Sequence, residues 1–294
     1  METLATTFRE QIKKAMTVSK VPSVITDQNV FQEGDKNILF IMDGMVESLI
    51  LPGSGLDGLE NLEELLAKAE SGKSCLLLVE HYSNLDLSIF SLLARKAGGR
   101  GKEISDAVIA IAGMKLNEDN PIVAAFAGAY TRIVIYPSRS LHGMDPETKK
   151  TELARSNAIN HAAITALNEQ KVKGKLILVF PSGTRYRSWD PETKKGVREI
   201  DSYIRSFDYM CFIALNGEVL SVQKTDMLND AVSKDIVRVT AGPVISCAEF
   251  RKNVKAAISA NEDKKQAVAD AIMRELEKMH LAAEEERKKL IHAK

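Results

Sequence analysis

Short runs of consecutive apolar residues, each followed by a helical pattern, constrain the fold of this 294-residue chain more than any other feature. Two clear examples are residues 76–79 and 176–180, which contain only Leu, Ile, Val and Phe. A strand with one face in water alternates apolar and polar residues, whereas a strand covered on both faces is apolar throughout. Because helical patterns separate the runs, the strands are expected to be largely parallel. We therefore predict an α/β fold, with a mixed, largely parallel central sheet covered by helices on both faces.

The alternation divides the chain into a short N-terminal part and a longer α/β part. Strands are predicted at residues 74–79, 107–112, 132–136, 175–180, 210–215 and 236–240. Helices are predicted at residues 1–20, 59–69, 86–96, 121–130, 146–170, 198–206 and from 248 to the C-terminus. Residues 21–56 mix Pro, Gly and Asp with apolar patches and give no clear pattern. We interpret residues 1–70 as an N-terminal, mostly helical lobe and residues 71–294 as the α/β domain with C-terminal helices.

Charge and hydropathy narrow the classes of partner. The chain has 40 Lys and Arg residues against 40 Asp and Glu residues, so its formal net charge is zero. No global field attracts nucleic acid or an anionic membrane, and any anion site must be local. The longest apolar stretch, residues 121–130, is about half the length needed to span a bilayer. We expect no nucleic-acid partner, and contact with a membrane, if there is any, should be peripheral.

Cysteine usage and the two chain ends add three expectations. Cys75, Cys211 and Cys247 are an odd number at wide spacing, so they are expected to be buried, reduced thiols in a reducing cytoplasm. The N-terminal residues lack the apolar segment of a secretory signal. Near the other end, residues 284–289 carry three acidic and then three basic side chains, a pattern typical of a solvated helix.

A histidine and an aspartate follow the apolar run at residues 76–79. His81 stands at the carboxyl end of that predicted strand, where ligands bind in open α/β sheets, and Asp86 falls in the first turn of the next helix. A turn between the two elements allows the Nδ1–H of His81 to reach Asp86. That contact would fix the tautomer of the ring and leave Nε2 free to accept a proton from a substrate hydroxyl. The pair is therefore a candidate general base with its orienting carboxylate.

A turn and two arginines follow the apolar run at residues 176–180. Arg185 and Arg187 are two positions apart, so in an extended chain both side chains project to the same side and are able to converge on one anion. Arginine is suited to bidentate contact with phosphate. Taken alone, the segment also fits a surface turn with solvated charges.

Two further strand ends carry basic residues. Lys115 follows the predicted strand at residues 107–112, and Arg139 follows the one at residues 132–136. The carboxyl ends of parallel strands meet at one edge of a sheet, so four polar or basic elements are expected at that edge. A proton acceptor beside a local anion site predicts transfer chemistry on a phosphorylated hydroxyl substrate.

Together these motifs resemble those of the glycerolipid acyltransferases. That family shows a His-x4-Asp block, a middle block with a basic residue, and a block similar to Phe-Pro-Glu-Gly-Thr-Arg. His81 with Asp86, residues 132–139 and residues 180–185 match the blocks in order and spacing. The resemblance covers roughly residues 74–217.

Two positions depart from the family pattern. Glu80 stands where the family usually has Asn before the histidine, and Ser182 stands where the third block usually has Glu. The resulting Pro-Ser-Gly-x-Arg-x-Arg form resembles the soluble, plastid-type glycerol-3-phosphate acyltransferases, which also have an N-terminal helical lobe. The departures therefore bear on which acceptor the protein uses.

The resemblance implies an O-acyltransferase of phospholipid biosynthesis that needs neither a metal nor a bound cofactor. The co-substrate would be acyl-CoA or acyl-carrier protein, and the acceptor a hydroxyl of glycerol-3-phosphate. The roles implied for single residues are general base for His81, orientation for Asp86, phosphate binding for Arg139, Arg185 and Arg187, and support for Lys115, Ser182, Gly183 and Thr184.

Two other functions fit the same residues. One keeps the reaction and changes the acceptor to 1-acylglycerol-3-phosphate (lysophosphatidate), which the Phe-Pro-x-Gly-Thr-Arg wording favours. The other is a catalytically idle lipid- or anion-binding protein on the same scaffold, which Glu80 and Ser182 favour and an intact His81 and Asp86 oppose. A serine-hydrolase function is disfavoured because the chain has no Gly-x-Ser-x-Gly motif.

Overall fold

The computed structural model of the chain describes residues 2–259 and 261–292. The strands are β1 Phe31–Gln32, β2 Gly55–Asp57, β3 Cys75–Val79, β4 Val108–Gly113, β5 Arg132–Ile135, β6 Leu176–Val179, β7 Tyr209–Asn216, β8 Leu220–Ser221, β9 Ala231–Val232, β10 Arg238–Ala241 and β11 Ile245–Ser246. The α-helices are α1 Leu4–Thr7, α2 Arg9–Val18, α3 Lys36–Leu49, α4 Leu59–Glu70, α5 Asp86–Lys96, α6 Gly101–Ala107, α7 Lys115–Glu118, α8 Pro121–Ala127, α9 Pro146–Val172, α10 Ile200–Ser206, α11 Cys247–Ala256 and α12 Lys264–His292.

Nine of the strands form one mixed sheet. Its order is β1-β5-β4-β6-β3-β7-β10-β2, and β11 pairs with the start of β7. The five central strands, from β5 to β7, run parallel to one another. β1 pairs with β5, and β10 with β7, in the antiparallel direction, whereas β2 is parallel to β10. The predicted mixed, largely parallel sheet is therefore confirmed.

Helices cover both faces of this sheet because its central strands are apolar on both sides. In β3 the side chains of Leu77 and Val79 pack in a core with helices α3 to α6, and those of Leu76 and Leu78 pack in a second core with α9, α10 and α12. All five residues of β3 are fully buried. An uninterrupted apolar run is thus what this position in the fold requires.

The parallel direction of four strands determines where the candidate residues lie. β5, β4, β6 and β3 are neighbours in that order, and their carboxyl ends meet at one edge of the sheet. His81 follows β3, Lys115 follows β4, Arg139 follows β5, and the segment of residues 180–187 follows β6. The chain topology therefore delivers all four elements to one edge.

The six strands predicted from the sequence are present as β3, β4, β5, β6, β7 and β10, with ends within two residues of those expected. Helices predicted at residues 59–69, 86–96 and 146–170 are present as α4, α5 and α9. At the start of α9, Asp145 accepts hydrogen bonds from the backbone of Glu147 and Thr148, and Pro146 occupies the first helical position. This is the helix start that the Asp-Pro pair indicates.

Two expectations about the elements need correction, and one stretch without a prediction is now assigned. The unpatterned residues 21–56 contain a full helix, α3, the short strand β1 and the first two residues of β2. The helix expected over residues 1–20 is two helices that meet at Phe8. The C-terminal tail is also two helices. Between them the backbone N–H of Ser259 donates to the side chain of Glu262, and the side chain of Asp263 accepts from the backbone N–H of Lys265 at the start of α12. Ala260 and residues 293–294 lie outside the described part of the chain.

The N-terminal boundary at about residue 70 stays a prediction. β1 and β2 come from before that residue, and they pair with β5 and β10 of the central sheet. A separate hairpin of β8 and β9 lies between β7 and β10 along the chain, and the N-terminal residues contact it: the backbone N–H of Leu4 donates to the carbonyl of Asp230 at 3.0 Å.

Within residues 2–259 and 261–292, no helix is both long and apolar enough to cross a membrane.

Candidate active site

His81 and Asp86 are in direct contact. The Nδ1 of His81 lies 2.9 Å from an Oδ of Asp86, across the turn between β3 and α5. The side chain of Asp86 is only 4% exposed, and that of His81 is 18% exposed. A carboxylate oxygen accepts, so Nδ1 is the donor in this pair, and in the neutral ring Nε2 then carries the free lone pair. The contact that the spacing predicted is therefore present.

The carboxylate of Asp86 is saturated with hydrogen bonds. Besides His81, it accepts from the backbone N–H of Tyr82 at 2.6 Å and of Ser83 at 2.9 and 3.0 Å, and from the hydroxyl of Ser83 at 2.7 Å. Four donors on a buried carboxylate hold it in one orientation, which in turn holds the imidazole ring. Tyr82 and Ser83 lie within the His-x4-Asp motif, but the sequence did not indicate that they hold the carboxylate of Asp86.

The ring face and the backbone carbonyl of His81 also have partners. Its ring stacks on that of Phe180, with centroids 4.0 Å apart and an interplanar angle of 16°. Its backbone carbonyl accepts from the N–H of Tyr186 at 2.8 Å. Phe180 and Tyr186 both belong to the segment that follows β6, so the two motifs that stood out in the sequence are in contact.

Arg139 reaches the same segment from the end of β5. Its guanidinium donates to the carbonyl of Gly183, and the side chain is otherwise exposed. Gly183 has a φ of +62°, a conformation that residues with a Cβ seldom adopt, so glycine fits this turn. Ser182 is buried, and its hydroxyl donates to the carbonyl of Thr184 at 2.7 Å. Ser182, Gly183 and Thr184 thus build the turn that precedes the two arginines.

The two arginines differ in their surroundings. Arg185 is 11% exposed and forms an ion pair of 2.5 Å with Asp230, a carboxylate that is fully buried and also accepts from the backbone N–H of Gln223. Arg187 is half-buried, and its guanidinium has no hydrogen bond or ion pair with any residue that the structure describes. Asp230, which directly precedes β9, gave no signal in the sequence.

Lys115 lies at the expected edge but stays apart from the other candidates. It is the first residue of α7, two positions after β4 ends, and its side chain is exposed. Across the described ranges it makes no hydrogen bond or ion pair with His81, the arginines or any other side chain.

Glu80, one of the two departures from the family pattern, is buried beside the histidine. Its carboxylate accepts from the backbone N–H of Leu215, the hydroxyl of Tyr82 and the Nδ1 of His280, each at 2.9 Å. His280 lies on α12, two hundred residues along the chain. The one sequence signal for it is its position four residues after Leu276, which places it on the buried face of that helix.

A cleft of about 530 Å³ lies away from these residues. Its lining includes Gln32, Gly34 and Arg132, the first residue of β5. Because β5 and β3 are parallel, the start of β5 is at the edge of the sheet opposite to His81. The histidine instead borders a smaller cavity whose wall includes Pro181 and Tyr186. Chemistry, rather than cavity size, therefore marks the candidate site.

Comparison with known proteins identifies the family. A family model described as Acyltransferase matches residues 56–239, which is more than half of the chain and includes every candidate site residue named from the sequence. No curated protein matches the chain significantly. The match confirms the glycerolipid acyltransferase resemblance at the level of the family, and with it a general acyl-transfer function. The chain belongs to the acyltransferase family.

Proposed function

We propose that the protein transfers a fatty acyl group from a thioester donor to a hydroxyl of glycerol-3-phosphate, with His81 as the general base. The observation that carries this proposal is the contact between His81 Nδ1 and Asp86, which directs Nε2, the other ring nitrogen, to the role of proton acceptor at the edge of the sheet where four strands end. In an acyltransferase, a proton acceptor in this position serves the attack of an alcohol on the thioester carbonyl.

The proposed reaction has two steps and no acyl-enzyme. Nε2 of His81 takes the hydroxyl proton as the acceptor oxygen attacks the carbonyl carbon, so that a C–O bond forms. The tetrahedral intermediate then collapses, the C–S bond breaks, and the proton passes from the imidazolium to the leaving thiolate. Asp86 stabilises the imidazolium between the two steps, and its hydrogen bonds from Tyr82 and Ser83 keep it from moving.

The arginines are proposed to orient the acceptor by its phosphate. Arg187 has no protein partner among the described residues, and Arg139 donates only to the carbonyl of Gly183. Both therefore retain N–H donors for an anion. Arg185 already has the carboxylate of Asp230, so a phosphate would share this guanidinium rather than find it free. Binding energy from the phosphate would be used to hold the hydroxyl near His81.

The proposed enzyme subgroup rests on the motif, and the proposed compartment rests on the cysteines. The Pro-Ser-Gly-x-Arg-x-Arg form, at Pro181 to Arg187, is the reason to place the protein near the soluble plastid-type enzymes. Either acyl-CoA or acyl-carrier protein would serve as donor, and no resident cofactor is proposed. The three free, buried cysteines support a reducing compartment such as the cytoplasm.

An acceptor panel tests the proposal. Purified protein is assayed with defined acyl-CoAs and acyl-carrier protein, against glycerol-3-phosphate, lysophosphatidate and glycerol. We expect transfer to glycerol-3-phosphate, and a loss of about a hundredfold to ten-thousandfold in kcat for His81→Ala. His161→Ala is the matched control, because His161 is an exposed histidine on α9. Undiminished activity of His81→Ala, or no transfer to either phosphorylated acceptor, would refute the proposal.

Lysophosphatidate is the second candidate acceptor, and one observation favours it. Trp189, two residues after Arg187, is 39% exposed, and Lys224 lies 5.8 Å from its ring centroid. Trp and Lys side chains are common where proteins meet a lipid interface. Vesicles that contain lysophosphatidate separate the two: flotation of the protein with them and transfer to the embedded lipid would favour this acceptor. Thioester turnover with either acceptor would exclude an idle binding protein.

A further inference from the structure

The carboxylate of Glu80 lies directly behind the candidate base. Its side chain is 4% exposed, and it receives three donors: the backbone N–H of Leu215, the hydroxyl of Tyr82 and the Nδ1 of His280. Leu215 belongs to β7, the neighbour of β3. A buried carboxylate with three hydrogen bonds is strongly held, and removing one partner leaves polar atoms unsatisfied.

His280 brings the C-terminal helix to this carboxylate. Burial of the ring acts to lower the pKa of His280, but the hydrogen bond with Glu80 and its negative charge outweigh burial, so that the pKa is raised above its ordinary value. The other charged groups that act on the ring are Lys194, from the turn before α10, and Glu277 on α12 itself.

The helix is fixed at the same point by its backbone. The side-chain amide of Asn216 donates to the carbonyl of His280 at 3.0 Å and to the carboxylate of Glu284 at 3.1 Å. One turn earlier, Leu276 is fully buried against the sheet. His280 therefore projects from a part of α12 that has little freedom to shift.

Tyr82 connects this pair to the catalytic turn. Its hydroxyl donates to Glu80, its ring lies 5.5 Å from that of His280, and its backbone N–H donates to Asp86 at 2.6 Å. Residues 80 and 82 are thus both held from the α12 side, while the ring of His81 between them stacks on Phe180. Because residues 80 and 82 are held in place, the backbone of His81 between them is held as well, and this sets the direction of its ring.

We propose that Glu80 and His280 are a positioning pair, through which α12 fixes the turn that carries His81 and Asp86. The inference rests on the proposed role of His81 as the base. It gives the departure at Glu80 a purpose, since an Asn at this position has one acceptor oxygen and would not satisfy three donors. The C-terminal helix thereby becomes part of the active site without touching substrate.

Glu80→Gln and His280→Gln test the pair by steady-state kinetics. We expect kcat to fall about tenfold to a hundredfold in each, with the KM of both substrates little changed, because the turn loosens and the base is misplaced. The double variant should fall no further than the more damaging single variant, since the two residues act as one unit. Glu275→Gln and His161→Gln are matched controls, as both residues are exposed and lack side-chain partners in the described chain.

A second readout separates positioning from mere stability and from failure of the proposed function. Imidazole ¹⁵N spectra of the folded protein should show His81 protonated at Nδ1 in the wild type, and an averaged tautomer in Glu80→Gln. If the wild type transfers no acyl group, the proposed function fails, but the spectra still decide the inference. Variants that lose thermal stability while the folded protein keeps its kcat and its His81 spectrum would overturn the positioning pair.

Discussion

Arg185 and Arg187 stand two positions apart in one motif, yet they occupy different environments. Arg185 neutralises Asp230, which is fully buried, whereas Arg187 has no partner within the residues described. We expect Arg185→Ala to lower the free energy of unfolding by about 3–5 kcal/mol, because it leaves a buried carboxylate with only the backbone N–H of Gln223. Urea unfolding of the purified variant measures the loss.

Arg187→Ala is the internal comparison for that measurement. Its free energy of unfolding should stay within about 0.5 kcal/mol of the wild type, since no hydrogen bond or ion pair of the guanidinium with the described residues is removed. Its KM for the phosphorylated acceptor should rise by about tenfold or more, because a charge-assisted phosphate contact is lost. The reverse ranking, with Arg187→Ala less stable and Arg185→Ala unaffected, would contradict both assignments.

Asp86 offers a test of how the histidine is oriented. In Asp86→Asn an amide N–H group replaces one of two oxygens that face only donors, so a hydrogen bond to Tyr82, Ser83 or His81 must be lost. We expect kcat to fall by about a hundredfold or more, as the Nδ1–H tautomer is no longer enforced. Asp119→Asn, at an exposed position, is the control. Equal kcat values for the two variants would show that Asp86 has no part in catalysis.

At the scale of elements, the sequence predicted what local pattern determines. β3 and β6 are uninterrupted apolar runs because both faces are covered, and such runs are visible without a structure. β1 is two residues long and exists only because Phe31 and Gln32 pair with β5. A pairing across a hundred residues leaves no local trace, which is why residues 21–56 gave no clear pattern.

The charged end of α12 also shows that a local sequence pattern does not reveal contacts with distant elements. Residues 284–289 were expected to be solvated, and the exposed Lys288 and Lys289 pair with glutamates three positions earlier as that pattern requires. Arg287 is an exception, because it is buried and contacts the carbonyl of Ile236 and the carboxylate of Asp235. Charge spacing along a helix does not report which side faces another element.

The positioning pair of Glu80 and His280, which joins α12 to the end of β3, should make the stability of the protein depend on pH. Because the folded-state pKa of His280 is raised, its contribution to stability is fully present below about pH 6.5 and is lost as the pH rises through the raised value. The difference in the free energy of unfolding between wild type and His280→Gln should therefore shrink above about pH 6.5. Urea unfolding in a pH series measures it, with His161→Gln as control. A difference that grows with pH would show that the pKa of His280 is not raised in the folded protein.

For the whole molecule, the candidate site combines neighbours in sequence with residues from distant elements. The spacing of His81 and Asp86 predicted their contact, and parallel strands predicted which edge would carry them. Asp230 and His280 were not predictable, because each reaches the site through pairing and packing that only the complete fold defines. The chemical groups of the site are therefore visible in the sequence, whereas the sheet and α12 supply the contacts that hold them.

The three thiols report on the integrity of this whole assembly. Cys75 and Cys211 lie on the adjacent central strands β3 and β7, Cys247 begins α11, and all three are fully buried. Burial raises the pKa of each thiol to about 12, so at pH 8 only about one in ten thousand is ionised.

We therefore expect DTNB to label none of the three cysteines in the native protein and all three in urea. Because β3 and β7 are at the centre of the sheet, labelling should follow global unfolding rather than local opening, and the three thiols should react at one common rate. Mass spectrometry of partly labelled samples distinguishes the cases: where DTNB reacts with the opened chain faster than the chain refolds, global unfolding gives only unlabelled and triply labelled chains. Rapid labelling of a single thiol under native conditions would show that the part of the fold around that cysteine opens independently.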